Sequence, residues 1–381
     1  MYIKRRFLIG IMLMSIVLLS SCTSNNSNGQ SKTDTKSETT QTNLSLPQYH
    51  LDYLLKSDGY DKNNLETTTE SYPFAINEQR FVVGRDQNTI PSYWDDAGNI
   101  FNLPVTNPDR ILQSNDTANS IDNNNVISSF LGDIWTALTV NPIYCTGTEG
   151  GLNPLRTIDS GIIVGNQYGS LKPAYLASPN DKAALLMKIP SGWLTGFIGN
   201  YPNNAGIQAI ASNGACVGYV YTDKVAPAMY YWPSVTSEPI EVKFPDEVNF
   251  GAGDYYKIAG VNTKGEIIAN LVKKNGENSS YYYANPQADP QKLSDTTDNK
   301  ASNFITLAAI NDNGSIIGNG VLGATLWLNR TPYSVTDLTD MPKTKDEHFT
   351  NPVCINNNGD IVVLYTGAYP IQCYAVISCK P

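Results

Sequence analysis

The sequence predicts an all-β protein: a seven-bladed β-propeller closed by its own N-terminal strand, behind an export signal and a disordered tether. Three observations carry that prediction. A weak motif recurs seven times in order, an aromatic strand follows most copies at a similar offset, and the last copy lacks a strand that the start of the folded region can supply.

The clearest copies are Ala309-Ile-Asn-Asp-Asn-Gly-Ser-Ile-Ile-Gly318 and Cys354-Ile-Asn-Asn-Asn-Gly-Asp-Ile-Val-Val363. Gly260–Ala269, Ala209–Gly218 and Ala75–Gly84 keep the frame, and Ser120–Ser128 and Thr157–Gly165 are looser copies. Taking the first Ile or Val of each as anchor gives Ile76, Ile121, Ile158, Ile210, Val261, Ile310 and Ile355, at intervals of 45, 37, 52, 51, 49 and 45 residues. In each copy a short apolar strand ends in Asn or Asp. A turn tolerant of positive φ follows, and then an apolar run opens the next strand. Runs that do not alternate imply burial on both faces, as between stacked sheets. About 15–20 residues on comes an aromatic strand, such as Ser92-Tyr-Trp94, Ala174-Tyr-Leu176, Tyr230-Tyr-Trp232, Tyr281-Tyr-Tyr283, Thr325-Leu-Trp327 or Cys373-Tyr-Ala375. A fourth strand, as in Tyr333-Ser-Val-Thr-Asp-Leu338, closes the unit. Four short strands in a repeat of about 45 residues are the mark of propeller blades.

After Cys354 the chain holds only three strand-like segments. Tyr49-His-Leu-Asp-Tyr-Leu54 resembles Tyr333–Leu338 and can complete the last blade, which closes the ring and removes its open edge. The propeller is therefore expected over 48–381.

The Ala-Ile-Asn-x-x-Gly-x-Ile-Val-Gly pattern, the aromatic strand and the Tyr-x-Val-x-Asp-Leu strand resemble the HAF repeats of bacterial extracellular repeat proteins. The match is strongest around 309–338 and weakest around 121–165. Departures are Ala211 for the Asn, and Arg80 and Asn125 for the middle Gly. The resemblance implies export and a propeller-like fold, and it brings no established activity with it.

Ahead of the repeats the chain reads as an address. Lys4-Arg-Arg6, an apolar run from Phe7 to Leu19 and a small-residue boundary form an export signal over 1–21. The run is too short to span a membrane, which takes roughly 20 residues. Leu19-Ser-Ser-Cys22 resembles the bacterial lipobox, which implies lipidation of Cys22 and attachment through acyl chains. Thr23, rather than aspartate, favours the outer membrane in the sorting pattern this resembles. Residues 22–47 are mostly Ser, Thr, Asn, Gln and Lys, with too little apolar surface to fold. As a coil this tether spans on the order of 25–30 Å.

Once Lys4, Arg5 and Arg6 leave with the signal, 23 basic residues face 35 acidic ones, a net charge near −12. That balance disfavours nucleic acid or an anionic membrane surface as the main partner, leaving attachment to the membrane through lipid and a protein or glycan ligand. Five cysteines remain besides Cys22, without a Cys-x-x-Cys pair. Cys354 and Cys373 fall on strands separated by a third, roughly 9–10 Å apart and beyond disulfide reach.

Catalytic signatures are sparse. His50 and His348 are the only histidines and lack convergent partners, so both read as surface residues. No Gly-x-Ser-x-Gly, His-Glu-x-x-His or phosphate loop occurs. Asp312-Asn-Gly314 and Asn357-Asn-Gly359 lack the full calcium-loop spacing, so neither metal nor cofactor is expected. Propellers can host glycosidases working through two carboxylates. Asp122 and Asp159 stand where other copies carry Asn and face the expected channel, whereas Asp95 and Asp96 sit in a turn. The aromatic clusters Tyr230–Trp232 and Tyr281–Tyr283 must each turn at least one ring inward, because alternate strand residues face opposite ways. The sequence thus favours a non-catalytic binding or assembly platform for protein or glycan, using long loops such as 141–156 or 284–300. The rival is an envelope carbohydrate-active enzyme with carboxylates at the channel mouth.

Overall fold

The computed structural model describes residues 46–56, 71–105, 116–145, 151–167, 172–181, 183–190, 206–220, 228–245, 254–296, 305–341, 347–367 and 372–379. The signal segment, Cys22 and nearly all of the tether lie outside the described residues. Leu46–Pro381 forms one compact unit.

Among the described residues this unit contains seven four-stranded antiparallel sheets. Blades 1 to 6 occupy 72–102, 118–144, 152–186, 206–241, 255–292 and 306–334, each with its strands paired in chain order. Blade 7 takes three strands from the C-terminal end, His348–Ile355, Ile361–Thr366 and Gln372–Cys379, and its fourth from Tyr49–Leu54. The clasp strand runs antiparallel to Gln372–Cys379, with Tyr49 opposite Cys379 and Leu54 opposite Ala375. Each innermost strand lies against the next, and His348–Ile355 against Tyr72–Ile76, so the ring is closed.

The core is divided among the gaps between blades. Val82 packs with Trp94 and with Val362 and Val376 of blade 7, while its neighbour Val83 packs with Ala118, Ile121, Ile127 and Trp135 of blade 2. Ile267 and Ile268, and Ile316 and Ile317, likewise split between two gaps. Consecutive strand residues point to opposite faces, so a sheet covered on both sides must be apolar at both. That is the origin of the non-alternating Ile-Ile and Val-Val runs.

The motif has a geometric cause as well. Each innermost strand bulges at a shared point, leaving Phe74, Asn119, Leu155, Gln208, Ala259, Ala308 and Val353 outside the ladder, and that of blade 7 bulges a second time at Asn351. The partner strand often meets the bulge with glycine. A Cβ on Gly84 would stand 2.0 Å from the Tyr72 carbonyl oxygen, and one on Gly318 2.4 Å from that of Thr306.

The third strands hold blades to their neighbours. Trp94, Trp135, Trp232 and Trp327 are fully buried, and their indole N–H groups donate to the carbonyls of Lys56, Pro104, Lys188 and Ser294 at 2.6–2.7 Å. Each acceptor lies just past the outer strand of the preceding blade. A buried indole needs such a partner.

Two sequence readings are corrected. Tyr333–Leu338 is not one strand: pairing ends at Ser334, which caps a single helical turn, Val335–Leu338, by accepting from the Asp337 N–H. In the third repeat the anchor is Thr157, which pairs with Ile163 as Ile76 pairs with Val82. Asp159 therefore lies one residue beyond the strand-end Asn position, which Ile158 fills.

Candidate functional site: the central channel

The seven innermost strands enclose a cavity of about 290 Å³ on the axis. One end is formed by the seven turns that leave those strands. Every turn has the same frame: in blade 6 the Gly314 N–H donates to Asn311 O, and the Asn311 N–H to Ser315 O. Its fourth residue has positive φ in all seven blades, including Arg80 at 69° and Asn125 at 60° as well as the glycines at 161, 214, 265, 314 and 359. The copies lacking the middle Gly thus keep its backbone. Asn adopts this conformation readily. Arg80 is held there by its side chain, which pairs with Asp52 on the clasp strand and stands 5.3 Å over the Tyr53 ring, while the Tyr53 hydroxyl donates to the Arg80 carbonyl at 2.8 Å. The one bulky residue in this position is the one that latches the closing strand.

The first residue of the turn forms a belt. Asn262, Asn311 and Asn356 each donate a side-chain N–H to the backbone carbonyl at the same position of the next blade, and so does Asn77, across distances of 3.0–3.1 Å. The Asn356-to-Asn77 bond crosses the closure. All four amides are buried, and each Oδ1 accepts backbone N–H groups of its own turn. Buried amides are satisfied here at both ends. Asp122, Ile158 and Ala211 occupy the remaining three positions and carry no side-chain amide.

The second residue forms another ring, built from acceptors. Asp312 Oδ1 accepts the Thr263 N–H at 2.8 Å, Asn357 Oδ1 that of Asp312, Glu78 that of Asn357, Asn123 Oδ1 that of Glu78 and Asp159 Oδ1 that of Asn123. Ser212 of blade 4 reaches Asp312 of blade 6 at 3.4 Å, skipping blade 5. Burial raises the Glu78 carboxyl above its ordinary range, opposed by the Asn357 and Asn358 N–H groups.

Arg156 stands just inside this ring. It takes the place where the other blades carry Ala75, Ser120, Ala209, Gly260, Ala309 and Cys354, all small and all lining the cavity. Its guanidinium donates to the Ile210 carbonyl of blade 4, linking blades 3 and 4 where Ile158 supplies no amide. Burial lowers its proton affinity, and the fields of Asp312, Asp159 and Glu78 work against that. The sequence reading missed Arg156 because a one-residue slip in the third repeat hid the column of small residues it interrupts.

Of the candidate carboxylates, Asp95, Asp122 and Asp159 are each engaged with N–H groups of the turns. Asp122 lines the cavity but is only 3% exposed, and its Oδ1 accepts the N–H groups of Asn124 and Val126. Asp159 is exposed and holds the Asn123 backbone and side chain. Asp95 serves its own turn by accepting from Ala97 and Asn99. No cluster of three or more His, Cys, Asp or Glu suited to a metal occurs among the described residues.

His348 is exposed, but His50 is not a plain surface residue: its Nε2 lies 2.7 Å from Asp52 Oδ1 and 3.4 Å from Ser378 Oγ. Both contacts fall on one ring nitrogen, so the trio is not arranged as a nucleophile relay, in which the base uses its two nitrogens separately. Trp232 and Tyr283 are fully buried, in line with rings turned inward. The segments 141–156 and 284–300 are not plain loops, since they contain Ile143–Tyr144, most of Leu152–Thr157, and Gln291–Lys292 as strands. Residues 146–150 and 297–300 lie outside the described residues.

No protein-family model and no curated protein matches the chain. Among solved structures it is similar to YCF48 from Cyanidioschyzon merolae, at a TM-score of 0.51 and 8% identity over 83% of this chain and 98% of that one. It is also similar to YCF48 bound to D1 peptide (TM-score 0.49, 11% identity, 82% and 95% covered) and to a streptogramin B lyase (0.43, 15%, 82% and 97%). At such identities the likeness shows the fold alone, and that fold is the β-propeller.

Proposed function

We propose that the chain is a lipid-anchored protein of the bacterial cell envelope whose propeller is a non-catalytic binding or assembly platform for a protein or glycan. The observation that best supports this is how the polar groups around the channel are used. Glu78, Asp159 and Asp312 accept backbone N–H groups of neighbouring blades, so they build the ring instead of standing free as an acid and a base. Catalysis needs titratable groups that converge on a reacting atom; binding needs shape, aromatic area and polar edges. Phe74, on the channel wall, and Phe130 offer such area as an edge-to-face pair with centroids 5.5 Å apart, 40% and 43% exposed.

The anchor rests on Leu19-Ser-Ser-Cys22 and the apolar run before it, and the resemblance to HAF repeats points to the same exported setting. Cys22→Ser is expected to leave the protein unprocessed or soluble; fractionation with membranes as in wild type would overturn the anchor. For the platform, the purified domain is tested on glycan arrays and by crosslinking in envelopes, with Phe74→Ala and Phe130→Ala expected to weaken whatever is captured. Glycan hydrolysis abolished by Asp122→Asn or Asp159→Asn would replace the platform with an enzyme.

A further inference from the structure

The belt of side-chain amides contains one acid. At four positions the Asn Oδ1 accepts from its own turn while Nδ2 donates to the next blade. Asp122 reproduces the first half of that pattern, with Oδ1 accepting from Asn124 and Val126, both at 2.8 Å. Its other oxygen, Oδ2, is the atom that corresponds to the donating nitrogen of asparagine; it is buried and has no hydrogen-bond partner among the described residues. The carbonyl at the matching position of blade 3 is that of Ile158. It accepts one bond, from the Gly161 N–H at 2.8 Å, and a carbonyl oxygen has a second lone pair. An ionised Oδ2 facing a carbonyl oxygen would set two acceptors together out of water, which is costly.

We infer that Asp122 is a neutral carboxylic acid in the folded protein and donates its proton to the Ile158 carbonyl, completing the belt between blades 2 and 3 and making that seam responsive to pH. Burial is the main force holding the proton on, and Asp159 adds to it, while the N–H groups of Val126 and Asn124 oppose it. The charged side chains around this turn are Glu78 from blade 1 and Asp159 and Arg156 from blade 3, all lining the same cavity. The two acids favour the neutral form and the guanidinium disfavours it. The sign follows from a folded-state proton affinity above that of the unfolded chain. The stabilisation is complete below the unfolded carboxyl value, about 3.9, and is lost as pH rises through the higher folded value.

The test combines a titration of the Asp122 side-chain carboxyl by carbon NMR with melting temperatures of wild type and Asp122→Asn across pH. Asparagine supplies permanently the donor that the acid supplies only when protonated. The expected results are a carboxyl midpoint above the ordinary range, and melting temperatures that coincide at the acid end and separate as pH rises, with wild type the lower. Asp159→Asn should move the Asp122 midpoint down. A midpoint at or below the ordinary range, or parallel melting curves, would overturn the assignment. Should Asp122→Asn fail to fold, the wild-type titration decides by itself.

Discussion

Blades 5 to 7 and blades 2 to 4 solve the same closure problem with different chemistry. In the first group Asn262, Asn311 and Asn356 link each blade to the next through identical amide bonds. In the second group the same positions hold Asp122, Ile158 and Ala211, none of them an amide, and other side chains supply links of their own. Between blades 2 and 3 they are the Ser120–Thr157 hydroxyl contact, the Thr157 hydroxyl on the Val126 carbonyl, and Asn123 and Asn124 on Asp159. Between blades 3 and 4 Arg156 takes over. Asn213 reaches the Thr263 carbonyl between blades 4 and 5. The difference teaches that the backbone frame, with its bulge and left-handed turn residue, is what the fold requires. The side chains that stitch the seams can be exchanged as long as buried acceptors stay paired.

The largest expected effect comes from breaking the closure that both groups depend on. Deleting Gln48–Leu54 removes the fourth strand of blade 7, the Asp52 partner of Arg80 and the burial of Tyr49, and exposes a sheet edge. A loss of several kcal/mol is expected, a large part of ordinary stability. A truncated domain that melts with wild type in calorimetry would show that the clasp does not hold the ring.

Next comes a cut in the regular belt. Asn311→Ala leaves the Asn313 and Ser315 N–H groups and the Asn356 carbonyl short of a partner, all close to the buried belt. Denaturant unfolding should register about 2–3 kcal/mol. A cost below about 0.5 kcal/mol would mean that the belt is decoration.

The smallest effect sharpens the comparison from the other side. Ala211→Asn puts an amide into the irregular half at a position whose turn already has the required frame, with Gly214 N–H on Ala211 O and Ala211 N–H on Ala215 O. A gain of up to about 1 kcal/mol is expected if the new amide reaches blade 5. A loss instead would show that blades 4 and 5 sit at a spacing the belt cannot bridge.

Much of this was legible in the chain. The anchors at Ile76, Ile121, Ile210, Val261, Ile310 and Ile355 all pair where expected, and Tyr49–Leu54 closes blade 7. The third repeat was the exception: Thr157-Ile158 offers two β-branched residues in a row, and pattern alone cannot choose between them. One slipped residue moved Asp159 into the wrong column and concealed Arg156.

Sequence by itself determined the repeat, the turn geometry and the need for a strand from the N-terminal side, because each depends on neighbours along the chain: strand length, a residue able to take positive φ, and the count of strands in the last unit. Only the tertiary structure decided which polar groups meet across seams. From Thr157 and Val126 to Arg156 and Ile210, such partners are 31 to 54 residues apart around the ring, and Asn356 and Asn77 are 279 apart across its closure. Whether Asp122 faces water, an amide or a carbonyl depends on where the next blade sets its backbone, and no local pattern encodes that distance.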